Sequence, residues 1–159
     1  MITYGHFIGG KHVEGKSGRF SDVWQPMDGS LRGKVALASK AEMTEAVANA
    51  KAAQPAWAAV NPQRRVRVLM KFLELVAKHN DELADILARE HGKTIPDAKG
   101  DIQRGVEVVE VALGAPHMLK GEFTDGAGPG IDIYSMRQPL GVVAGITPFN
   151  FPAMIPMWM

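Results

Sequence analysis

The 159-residue chain is 46% apolar and 22% charged, the proportions of a folded globular protein able to bury a core. Its net charge of +1 offers no electrostatic handle for nucleic acid or an anionic membrane surface. There is no cysteine, which excludes disulfides, thiolate metal sites and a cysteine nucleophile within these residues, and the five histidines stand apart without metal-ligand spacing.

The N-terminus, MITYGHFIGGKHVEG, lacks the basic-then-apolar order of a signal peptide and the Arg- and Ser-rich character of a transit peptide, so a cytoplasmic setting is expected. HFIGGKHVEG (6–15) reads as a small hairpin, and Asp28-Gly29 as a turn between short strands. The period then changes. Ser39-Lys40-Ala41-Glu42 is a capping box, and Met43, Val47, Ala50 and Trp57 follow at helical spacing. Asn61-Pro62 caps a second helix with Val66, Leu69, Leu73 and Val76 on one face, and Asn80 reads as the cap of a third that Gly92 ends.

A fourth helix is expected over 96–113, with Ile102, Val106, Val109 and Leu113 on one stripe. Val108, Val111 and Ala112 make its other side apolar as well, the pattern of a helix sandwiched between layers. A Gly-rich loop, 121–130, leads into an alternating, exposed strand in IDIYSMRQPL. GVVAGI (141–146) is apolar throughout, like a parallel strand covered on both faces, and a helical stretch opens at Asn150 or Phe151. Residues 138–159 carry no charge, but Pro139, Pro148, Pro152 and Pro156 would break a spanning helix, so a membrane segment is not expected. The fold class is α/β, and its end reads as a first βα unit of a doubly wound nucleotide-binding domain, which cannot bury its own faces; the chain is therefore expected to be part of something longer.

Several candidate sites reduce to ordinary structure. GAGPG (126–130) precedes a strand rather than a helix, so it reads as a surface turn and not a phosphate loop. Arg64, Arg65 and Arg67 read as a solvated face. Met154, Met157, Trp158 and Met159 read as helix packing. Two signals remain. Arg104, within KGDIQRGVEVVE (99–110), is either an (i, i+3) partner of Glu107 in water or a guanidinium kept for a carboxylate. Asn150 stands at the C-terminal end of the apolar strand with proline on both sides, as a helix cap or as an amide donor to a developing oxyanion.

The stretch PLGVVAGITPFNFP (139–152) resembles the Pro-x-Gly-Val-Val-x-x-Ile-x-Pro-Trp-Asn-Phe-Pro segment of the NAD(P)-dependent aldehyde dehydrogenases, with Phe149 in place of the common Trp. The order of elements before it fits as well, and the likeness covers the whole chain but only about the first third of such an enzyme. GKTIPDAKGDIQRGVEVVE (92–110) and the continuation AMIPMWM look like the methylmalonate/malonate-semialdehyde dehydrogenases, the branch that acylates coenzyme A. The resemblance implies that Thr147, Pro148 and Phe149 line the nicotinamide side of an NAD site and that Asn150 donates to the thiohemiacetal oxygen. It further implies that Arg104 holds the carboxylate of a small semialdehyde substrate. Coenzyme A is implied as co-substrate, with a homo-tetramer and neither nucleic acid nor membrane as partner.

The implied division is 1–120 for the hairpin and helices, 121–139 for an oligomerisation strand, and 140–159 for the first strand and helix of the Rossmann-type core. The family's nucleophilic Cys, its distal glutamate and its adenosine-binding Lys and Glu lie downstream of the matched segment, so these residues alone supply an oxyanion donor and no nucleophile. Two other readings stand beside this one: an aldehyde dehydrogenase that hydrolyses its thioester, and a catalytically incomplete fragment that acts as a binding module.

Overall fold

The structure, a computed structural model, describes residues 2–159. It opens with β1 (Ile2–Tyr4), the hairpin β2 (His6–Ile8) and β3 (Lys11–Val13), then β4 (Phe20–Trp24) and β5 (Leu31–Ala36). The hairpin turns on Gly9-Gly10, whose φ values of 60° and 75° match a two-residue turn with both central residues left-handed. β5 lies between β1, to which it runs parallel, and β4, to which it runs antiparallel. The β4–β5 connection carries the expected Asp28-Gly29 turn, with Asp28 Oδ1 accepting from the Ser30 amide at 2.9 Å and Gly29 at φ 71°.

Helices follow, and local side-chain caps set the starts of three of them. α1 (Lys40–Ala59) begins with both halves of the capping box: Glu42 N–H donates to Ser39 Oγ at 3.2 Å and Ser39 N–H to Glu42 Oε2 at 2.8 Å. The other Glu42 oxygen accepts the Lys16 amide at 2.6 Å, tying the helix start to the chain that leaves the hairpin. The apolar positions of α1 are at helical spacing, yet no residue of α1 is buried, because little of the described structure packs against it. α2 (Pro62–Lys78) is capped by Asn61, whose Oδ1 accepts from Arg64 N–H at 2.9 Å, with Pro62 in the first turn.

α3 (Asn80–His91) departs from the expected cap. His79 alone separates α2 from α3 and serves as the cap of both, so Asn80 is already the first helical residue and its side chain caps nothing. Gly92 at φ 85° ends α3 as expected. α4 (Ile95–Ala112) starts at Thr94, whose Oγ1 accepts from Asp97 N–H at 3.3 Å. The expected sandwiching is met in part. α2, α3 and the terminal helix α6 (Met154–Trp158) all contact it and bury Ile102 and Val109. On the second apolar side Val111 is exposed and Val108 and Ala112 are only half-buried, because no described element covers them. The core is Val76, Ala84, Leu87, Ala98 and Ile102, with Val106, Ala153 and Met157 packed on it. Among the described residues no helix is long and apolar enough to cross a membrane.

Two expectations about strands change. After the short helix α5 (Ala115–Met118), the Gly-rich stretch is a strand rather than a loop: β6 (Phe123–Gly128) pairs antiparallel with β7 (Ile131–Tyr134) around Pro129-Gly130. Glycine lowers strand propensity without forbidding the ladder, and a register shift between Thr124 and Gly128 absorbs the irregularity. Conversely, 141–146 forms no ladder and lies exposed, with Ile146 at 93%. A strand needs a neighbour to take its backbone hydrogen bonds, and none of the described strands is paired with it.

α6 comes close to α4 because Gly105 faces it. A Cβ on Gly105 would stand 3.2 Å from the Met154 Cα and 2.5 Å from Met157 Sδ. Gly105→Ala is expected to lower the thermal unfolding midpoint, at an overpacking cost of about 1–3 kcal/mol; an unchanged midpoint would mean that this contact is loose. The Glu42 carboxylate gives a second expectation. The Lys16 amide first, then the Ser39 amide and hydroxyl, hold it at about 2, below the ordinary 4.5. The folded value is depressed, so this stabilisation is complete above 4.5 and is lost as pH falls toward 2. Unfolding followed across that window should lose part of its pH slope in Glu42→Gln, and an identical slope would contradict the assignment.

Candidate active-site segment

The segment that carries Asn150 has no regular structure of its own. Residues 141–150 are exposed, and the backbone enters α6 only after a turn at 151–153. Its placement comes from α4 and from the junction before α4. Lys93 is held between the Gly92 that ends α3 and the Thr94 that starts α4, so its backbone is fixed by two helix ends. From there its Nζ donates to the Asn150 carbonyl oxygen at 3.1 Å and lies 3.2 Å from Asp101 Oδ2.

Asp101 sits on α4 beside Ile102, and its side chain has no solvent exposure. Its other oxygen, Oδ1, accepts the Met154 amide at 2.8 Å, the first N–H of α6. A buried carboxylate must be paired and hydrogen-bonded, and both conditions are met by residues that bracket the candidate segment. The backbone of Asn150 is thereby tied on one side and that of Met154 on the other. Pro152 restricts the backbone in between, and Pro148 restricts it just before Asn150.

Arg104 does not pair with Glu107. Gln103 takes that partner, with Nε2 donating to Glu107 Oε1 at 3.3 Å, and the Arg104 guanidinium instead lies 5.8 Å from the ring centroid of Phe151. Lys93 Nζ stands 4.8 Å from the same centroid, so the ring next to Asn150 in the chain meets two cations. These groups line a groove of about 320 Å3 whose wall includes Lys93, Gly100, Asp101, Arg104 and Phe151. Arg104 is exposed and makes no ion pair among the described residues, so its donors remain open to an anion in that groove.

The structure thus brings Arg104 and the backbone of Asn150 to one place through Phe151 and Lys93. The Asn150 carboxamide is exposed and hydrogen-bonded to nothing among the described residues, and it does not act as a helix cap: the first residue of α6 is Met154. Thr147, Pro148 and Phe149 lie exposed just ahead of it, with the Phe149 ring 85% accessible, and no described residue closes over them. A separate cavity of about 370 Å3 between α2, α3 and α6 is lined by Phe72, Leu83, Leu87, Ile102 and Met157; Glu90 is its one charged residue, and it offers no comparable chemistry. Sequence reading missed Lys93, Asp101 and Phe151. The signal for Asp101 was available, since a charged residue adjoining Ile102 on a two-sided apolar helix has to find a partner.

Three comparisons bear on this arrangement. The aldehyde dehydrogenase family matches residues 12–159. Among curated proteins, a malonate-semialdehyde dehydrogenase of Pseudomonas aeruginosa is 46% identical over the whole chain, and the human methylmalonate-semialdehyde/malonate-semialdehyde dehydrogenase, named as acylating and mitochondrial, is 46% identical over 96% of it. The chain spans 32% and 29% of their lengths, about a third. Among solved structures, a candidate methylmalonate-semialdehyde dehydrogenase of Sinorhizobium meliloti 1021, complexed with NAD, is 64% identical with a TM-score of 0.97; the methylmalonate-semialdehyde dehydrogenase of Oceanimonas doudoroffii is 46% identical with a TM-score of 0.96. Each superposes on all of this chain, which covers 32% of theirs. The fold, the proline-bracketed Asn150 segment and these matches agree: the chain belongs to the aldehyde dehydrogenase family.

Proposed function

We propose that this chain works within a complete NAD-dependent dehydrogenase that oxidises malonate or methylmalonate semialdehyde and transfers the acyl group to coenzyme A. The observation that carries the reading is the open guanidinium of Arg104 on the groove that Phe151 shares with the Asn150 segment. A cation beside an amide donor suits a substrate with a carboxylate at one end and an aldehyde at the other. The names of the relatives support this substrate class, and the acylating name of the human relative supports coenzyme A as acceptor.

In the proposed reaction a cysteine thiolate from the remainder of the enzyme adds to the aldehyde carbon, placing negative charge on the aldehyde oxygen. The Asn150 amide donates to that oxygen, a contact that strengthens as the charge develops. Arg104 holds the distal carboxylate and so orients the carbon chain. Hydride leaves the carbon as the thioester forms; the coenzyme A thiol then displaces the cysteine, which leaves as thiolate while the thiol proton passes to solvent. The carboxylate β to the thioester carbonyl departs as CO2, its bonding pair remaining as an enolate whose α-carbon takes a proton from water. NAD, when bound, supplies the hydride acceptor. Three consecutive uncharged and exposed residues, Thr147, Pro148 and Phe149, offer the hydroxyl and apolar surface that suit one side of a nicotinamide ring.

The same reading gives the β6–β7 hairpin to the contacts of a homo-tetramer, in keeping with the exposure of Phe123, Ile131, Ile133 and Tyr134 on that short two-stranded sheet. It keeps a cytoplasmic setting, although the human relative is named mitochondrial. The test is selectivity. In the complete enzyme, Arg104→Ala is expected to raise KM for a carboxylated aldehyde by roughly 10- to 150-fold, the value of a charge-assisted hydrogen bond of about 1.5–3 kcal/mol, and to leave a neutral aldehyde within about twofold. Equal losses on the two substrates would contradict the carboxylate role.

A further inference from the structure

We propose that Lys93 and Asp101 are positioning residues for catalysis: they set the direction of the Asn150 amide without touching the substrate. The inference rests on the oxyanion reading above and adds the device that makes it work. A single amide donor is useful only if its direction is fixed before charge develops, and Asn150 lies in an exposed segment with no ladder or helix to fix it. Two backbone ties substitute for regular structure. Lys93 donates to the Asn150 carbonyl, and Asp101 accepts the amide of Met154, four residues on.

The two ties are one unit, because Lys93 and Asp101 are themselves 3.2 Å apart and shielded, with side-chain exposures of 13% and 0%. Both are anchored to rigid elements, one between two helix ends and the other in the middle of α4. Loss of the Lys93 ammonium would free the Asn150 carbonyl and leave the Asp101 carboxylate facing Met154 alone. The peptide that carries the Asn150 side chain could then rotate, while Arg104, which is held by neither tie, would still meet the carboxylate of the substrate.

That asymmetry separates positioning from stability. The measurement is kcat and KM of the complete dehydrogenase on malonate semialdehyde with saturating NAD and coenzyme A, for Lys93→Met, Asn150→Ala and the double variant. Loss of an oxyanion donor lowers kcat by about 100- to 1,000-fold, and a misplacement on the order of 1 Å by up to about 100-fold. Lys93→Met is therefore expected to lower kcat about 10- to 100-fold with KM within about threefold, and to add nothing further in the Asn150→Ala background. Losses that multiply in the double variant, or a Lys93→Met effect carried by KM, would overturn the positioning role. A loss below about fivefold in Asn150→Ala would overturn the oxyanion reading, and this inference with it. If Lys93→Met does not fold, Asp101→Asn carries the same cycle: it retains an acceptor for the Met154 amide, removes the charge that holds Lys93, and is expected to show the same non-additivity.

Discussion

The carboxylate of Asp101 is the point on which the end of this chain depends. It is buried in α4, accepts the first amide of α6 with one oxygen and faces Lys93 with the other. A buried ion pair is weak evidence of net stability, because desolvation offsets much of the attraction, but removing one partner costs about 3–5 kcal/mol by stranding the other charge. The lone hydrogen bond to Met154 would be worth about 1 kcal/mol or somewhat more for a charged acceptor. Breaking the pair therefore costs more than breaking that hydrogen bond, and the arrangement resists partial disruption. Its value here is direction: each charge has one geometry in which its needs are met, and that geometry specifies where 150 and 154 lie.

The remaining architecture supports that point. α4 can hold a buried carboxylate because α2, α3 and α6 cover it, and Gly105 lets α6 lie close enough for its first amide to reach Asp101. Gly92 and Thr94 stop one helix and start another around Lys93. A functional loop on a rigid scaffold is a common solution, since an exposed segment supplies reach and the scaffold supplies aim. Here Asn150 has the reach and α4 supplies the aim. Arg104 projects from the same helix, three residues after Asp101, which couples the proposed grip on a carboxylate to the proposed donor for an oxyanion through one rigid body.

Much of the local structure was legible because it is written in neighbouring residues. The Ser39–Glu42 box, Asn61-Pro62 and Gly92 act within four residues of themselves, and each bounds a helix as read. Asn80 misled because the same residue type caps helices and begins them, and here His79 occupies the junction. The Gly-rich stretch of β6 was opaque because its ladder depends on β7 across the turn rather than on its own propensity. GVVAGI reads as a buried strand from composition, yet burial and pairing come from neighbours that the described residues do not supply.

The candidate site divides in the same way. Asn150 stood out because a lone amide between prolines in an apolar run has few structural uses. A charge beside Ile102 signals that Asp101 needs a partner, but the ties of Lys93 to Asn150 and of Asp101 to Met154 span 57 and 53 residues, a separation no local pattern encodes. Hydrogen exchange at the Met154 amide, measured in the complete protein, tests most directly whether α4 holds this end of the chain in place. Slow exchange is expected there, well below that of 141–149, with the protection lost in Asp101→Leu. Exchange at Met154 as fast as in the exposed segment before it would contradict the anchoring role of Asp101.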